Sequence, residues 1–160
     1  MEMSWSSGST FSSGPTSVRR HQRGEHPQGG SRCDDGLVNS STWADRAALG
    51  ESLASQVGDA SVDERLVALL LDPEDTAVTF RTAVALLERR DPRAVRLVIV
   101  ASASADEDTS NWIGGALNDF RADSLQNEEF LRAALEELHE DPESSCARAA
   151  HAWSAWCAFG

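Results

Sequence analysis

The side chains best suited to chemistry gather in the last part of the chain: His139, Cys146, His151 and Cys157. Two imidazoles and two thiols are the ligand types of a tetrahedral zinc site, provided all four converge on one point. Helical periodicity sends residues 146, 151 and 157 in different directions around one helix, so this spacing argues against a site and no metal is expected. Cys146 and Cys157 are eleven residues apart, about 16 Å at the α-helical rise, which no disulfide spans. Cys33 is the third cysteine, too isolated to complete a disulfide framework, and the thiols read as buried.

A second cluster, Asp106-Glu107-Asp108, has the charge to attract a cation or a basic partner. It stands at the start of a helical pattern, where acids meet the positive end of the helix dipole, and that role already accounts for it. Elsewhere no nucleophile, base and orienting group can be assembled from spacing. Neither Gly14-Pro15 nor Gly29-Gly30 follows a strand or opens a helix, as a phosphate-binding loop must. His21 and His26 read as solvated. The chain is therefore expected to hold no catalytic residue and no cofactor.

These residues hang on elements that read as helices. Around the middle of the chain Ala77, Phe80, Val84 and Leu87 recur at steps of three and four, with Val78, Ala83 and Leu86 widening the stripe. Asp72 is expected as the N-cap, with Pro73 at the first helical position and Glu74 and Asp75 in the first turn. Asp91-Pro92 repeats the start signal for a second helix carrying Leu97-Val98-Ile99-Val100. That β-branched run is also compatible with a buried strand, but no other segment looks like its partner, and the helix reading is preferred.

Ahead of this pair, Trp43 to Val57 forms a helix after Ser40-Ser41-Thr42, with Trp43, Ala47, Leu49, Leu53, Ala54 and Val57 as its apolar residues. Gly58-Asp59 ends it, and Val62 to Leu71 follows. Behind the pair come a stripe of Trp112, Ile113, Ala116, Leu117 and Phe120, then one of Leu131, Ala134, Leu135 and Leu138 opened by Ser124. His139-Glu140-Asp141-Pro142 breaks that helix. The last, Glu143 to about Phe159, carries Cys146, Ala149, Ala150, Trp153, Trp156 and Cys157. Gly114 and Gly115 weaken their helix by about 1 kcal/mol each relative to Ala unless a neighbour lies close.

Composition changes near residue 40. Residues 1–40 are rich in Ser, Gly and Gln with few aliphatic side chains, too little apolar surface to offset the entropy of ordering, so this arm is expected to be disordered and residues 41–160 to form the folded domain. No apolar run serves as a signal-peptide core or approaches the ~20 residues of a membrane span. No membrane association is expected, and the localisation read from this is cytoplasmic. Four arginines and four acids cancel in the arm. Residues 41–160 thus hold ten arginines, twenty-two acids and the whole net charge of −12. Such a surface repels phosphate backbones, so nucleic acid is not an expected partner. The lack of Lys and Tyr fits a GC-rich, bacterial coding sequence.

Asp72, Asp106 and Asp141 are spaced by 34 and 35 residues, the length of a two-helix unit that must stack on its neighbours to bury its face. The first unit, with Asp72, Arg81, Ala83 and Ala85-Leu86, resembles the HEAT-repeat, armadillo-type family. Gly115 stands where a second unit would place its Arg, and Arg148 follows Asp141 by only seven. The resemblance spans roughly residues 43–160. It implies an all-α fold, a short α-solenoid of antiparallel helix hairpins with about seven helices behind the disordered arm, and a scaffold that binds other proteins. Acids at a fixed repeat would share one edge, so Glu74, Asp75, Glu107, Asp108 and Glu143 are the expected partner-binding rim, drawing a basic surface on another protein. A sharper form is an immunity-type neutraliser of a basic enzyme or toxin. HEAT-like folds also occur in DNA base-excision enzymes and in cofactor-modifying proteins; the acidic charge speaks against the first, and only the cysteines favour the second.

Overall fold

The computed structural model describes residues 42–158, and every regular element among them is helical. The elements are α1 (Trp43–Leu53) with a 3₁₀ turn at Ala54–Gln56, α2 (Ala60–Leu70), α3 (Thr76–Glu88), α4 (Pro92–Ser104), α5 (Glu107–Asp123), α6 (Leu125–Leu138) and α7 (Ser144–Ala158). The expected disorder of residues 1–40, Cys33, His21, His26 and Phe159 lie outside the described residues.

Short polar side chains start the helices. Thr42 and Asp45 form a reciprocal capping box on α1, Asp59 caps α2 through Ser61 N and Val62 N, and Ser124 caps α6 through Asn127 N. Asp91 caps α4 with Pro92 in the first turn, and Asp106 accepts from Thr109 N at 2.8 Å at the start of α5. Each cap of this kind contributes about 1 kcal/mol.

Leu97-Val98-Ile99-Val100 is helical, in the middle of α4, and the strand alternative falls. Leu97, Val98 and Ile99 are buried because α4 touches α2, α3, α5, α6 and α7. These contacts cover most of the helix and leave a narrow outer edge to Arg93, Arg96 and Ser104. The expected start of α3 needs correction. Asp75, not Asp72, is its N-cap, accepting from Ala77 N at 2.9 Å, and the helix begins at Thr76. Asp72 is occupied elsewhere, as described below.

The stripes also shift at their edges. In α3 the fully buried set is Val78, Thr79, Thr82, Ala83, Leu86 and Leu87, while Ala77, Phe80 and Val84 are half-buried. Trp43, Leu49 and Trp112, expected to face inward, are 46 %, 37 % and 47 % exposed. Large aromatic rings bury one face against a neighbour and leave the rest wet, as Trp112 does edge-on to Phe80 with ring centroids 5.9 Å apart. The α6 stripe of Leu131, Ala134, Leu135 and Leu138 is buried throughout.

Helices of like parity lie together as far as α6, α3 with α1 and α5 and α4 with α2 and α6, but α7 breaks the alternation by packing chiefly on α4 and α6. The most extensive contacts of α3 are with α5 and α1, while α4 lies against α2, α6 and α7, and α6 against α5 and α7. Gly50 permits a close approach of α1 to α3. A Cβ there would stand 2.2 Å from Thr82 Oγ1, so only glycine lets α1 sit this near α3.

Candidate functional site

Two of the regularly spaced aspartates build the same joint. The Arg46 side chain on α1 donates from Nε to Asp72 Oδ2 at 2.7 Å and from Nη2 to Oδ1 at 3.2 Å, while Nη1 lies 3.0 Å from Glu74. On α4, Arg96 donates from Nε to Asp141 Oδ2 at 2.7 Å and from Nη2 to Oδ1 at 3.2 Å, with Glu143 at 3.3 Å. In both, the aspartate Oδ1 also accepts from the backbone N–H of the glutamate two residues on, at 3.0 Å and 2.9 Å. The repeated unit is Asp-Pro-Glu, at 72–74 and 141–143. Proline fixes the turn that brings the glutamate N–H back onto the carboxylate, and the planar guanidinium engages the two oxygens side by side.

Both aspartate side chains are 6 % exposed. Burial works to raise the Asp72 carboxyl, but the Arg46 guanidinium with the Glu74 and Asp75 backbone N–H groups outweighs it and holds the group below its ordinary value. At Asp141 the Arg96 hydrogen bonds dominate over burial, with the same result. Asp106, the third member of the expected series, has no such joint and caps α5.

The expected rim divides accordingly. Glu74 and Glu143 are exposed but committed to Arg46 and Arg96, and Asp75 is spent on its capping hydrogen bond. Glu107 and Asp108 lie exposed in the first turn of α5, with no ion pair among the described residues.

The thiols and imidazoles lie on α6 and α7. Cys146 is fully buried, and desolvation, reinforced by Asp141, pushes its thiol up to about 11, so it is inert at neutral pH. Burial raises Cys157 as well. His139 and His151 stack with ring centroids 3.8 Å apart, and His139 Nε2 lies 2.9 Å from Ser154 Oγ. These pairs fasten α7 to α6. Trp153 Nε1 donates to Ser102 Oγ at 3.0 Å, and Arg121 sits over the Trp156 ring while donating to Cys157 O at 3.2 Å, fastening α7 to α4 and α5. Trp156 itself remains 40 % exposed.

Periodicity gave no sign of a groove between α3 and α5. A cavity of about 480 Å3 is lined there by Val84, Glu88, Arg90, Ala116, Asp119, Phe120, Asp123 and Asn127. Val84 and Glu88 also line a smaller, neighbouring hollow of about 220 Å3 that reaches Phe80 and the Arg81–Glu51 ion pair. The signal in the sequence was the carboxylate series Asp119 and Asp123 one helical turn apart, flanking Phe120. No protein-family model, no curated protein and no solved structure matches this chain.

Proposed function

We propose that the chain is a non-catalytic protein-interaction module, a short α-solenoid of the HEAT-like kind whose acidic surface engages a basic surface on another protein. The α1–α3–α5 and α2–α4–α6 contacts support the solenoid, since each hairpin of such a stack lays its first helix on the first of the next and its second on the second; α7 departs from that pattern and closes the end of the stack against α4 and α6. The observation that carries the functional reading is the way charge is spent. Five of the ten arginines in residues 41–160, Arg46, Arg81, Arg93, Arg96 and Arg132, are held in ion pairs with seven acids, and fifteen acids against five arginines lie outside those pairs, with Glu88, Glu107, Asp108 and Asp119 exposed among them. The field this leaves is negative, and it accelerates encounter with a positive partner.

The test is fluorescence anisotropy of a labelled lysine- and arginine-rich peptide titrated with the protein. Binding at 50 mM salt should weaken more than tenfold at 500 mM as the exposed charges are screened. A duplex DNA of equal length should not bind. Absence of peptide binding at low salt overturns the reading.

A further inference from the structure

The groove between α3 and α5 differs from the rest of the acidic surface in having an interior. Val84, Ala116 and Phe120 give it an apolar wall, and the exposed carboxylates of Glu88, Asp119 and Asp123 stand around it. Neither Glu88 nor Asp119 has an ion-pair partner among the described residues. Asn127, also in the lining, is 3 % exposed. Its Nδ2 donates to Phe120 O at 3.0 Å and to Asp123 Oδ2 at 3.2 Å, which fixes the amide orientation, and its Oδ1 is a buried acceptor with no hydrogen-bond partner. A buried acceptor left unpaired is unusual in a folded protein.

We propose that this groove is the anchor point of the interaction surface and receives an arginine side chain from a basic segment of the partner. The proposal rests on the interaction-module reading and makes it specific. An arginine offers what each wall lacks. Its methylene stem covers Val84, its planar face lies against the exposed part of Phe120, and its five N–H donors serve several carboxylates at once. A lysine ammonium is a compact, strongly hydrated point charge and meets fewer of these groups together. The overall charge of −12 supplies the long-range attraction.

The groove already holds one guanidinium-bearing residue. Arg90 lines it from the turn after α3, at a φ of +50°, a left-handed conformation that arginine adopts at a cost and asparagine tolerates. Its charge opposes an incoming cation, so its removal should favour the ligand.

The probe is a labelled heptapeptide, Lys-Lys-Gly-Arg-Gly-Lys-Lys, compared with versions carrying lysine or citrulline at the centre, titrated into the full chain at 50 mM salt. The arginine peptide should bind at least fivefold tighter than either. In the Glu88→Gln/Asp119→Asn double variant that preference should vanish, while Glu107→Gln/Asp108→Asn should weaken all three peptides alike. Arg90→Asn should tighten the arginine peptide severalfold, a gain that misfolding does not produce. If the three peptides bind equally, the groove is not an arginine anchor although the acidic module stands. Should none bind, the module itself falls, and the anchor with it.

Discussion

Asp72 and Asp141 perform one task at two places, and the task is more demanding than helix capping. Each gathers a guanidinium and backbone N–H groups onto a nearly buried carboxylate. Asp72→Asn keeps the shape, removes the charge and leaves Arg46 facing a neutral partner; thermal or urea unfolding should show a loss of about 2 kcal/mol. Asp141→Asn should cost less, about 1 kcal/mol, because Arg96 is 38 % exposed against 19 % for Arg46 and water takes over part of its solvation. Both carboxyls lie below their ordinary values in the folded chain. Their contribution is therefore complete above the unfolded-state value, about 3.9, and disappears as pH falls through the folded value. Wild-type stability should drop on acidification below about pH 4, and the double Asn variant should show a shallower dependence in urea melts from pH 6 to pH 2.5. Asp72 was legible as important and misassigned in role. An Asp-Pro start looks the same whether the carboxylate caps a helix or closes a turn, and the deciding partner, Arg46, lies 26 residues upstream.

At the level of elements, α5 shows how two adjacent glycines differ. A Cβ on Gly115 would meet Phe80 Cε2 at 3.8 Å, an ordinary contact, so Gly115→Ala should stabilise the protein by about 0.5–1 kcal/mol through helix propensity alone. On Gly114 it would meet Trp153 Cη2 at 3.0 Å, and that ring is pinned by Ser102 and set edge-on to Trp156. Gly114→Ala should lower the melting temperature where Gly115→Ala raises it, and equal shifts in a pair of thermal melts would disprove the distinction. Helix identity was readable throughout from capping residues and stripes, and the α6 stripe was readable in full. The edges of the α1, α3 and α5 stripes were not, because periodicity locates an apolar face but not which part of it a neighbouring helix covers. Trp43 and Trp112 show the limit: their ring area predicts burial, and their position at the margin of a contact leaves them half wet.

On the scale of the whole molecule, the helical class followed from the pattern of apolar residues and Pro breaks. The groove between α3 and α5 did not, since it depends on which helices become neighbours. Charge is the property that sequence and structure describe most consistently: the ion pairs take up five arginines and seven acids and leave the remaining acids of residues 41–160 in excess. Contacts between α3 and α5, between α4 and α7, and the Arg96–Asp141 joint all cross the short connection at Ala105. A chain carrying a protease site inserted at that connection should survive cutting as a non-covalent pair of fragments, eluting together in gel filtration and parting only in denaturant. Independent elution of the two pieces would mean that the covalent link does more than the helix faces to keep them together. If they do stay together, the same break gives a split reporter, with each half silent until the other restores its missing walls.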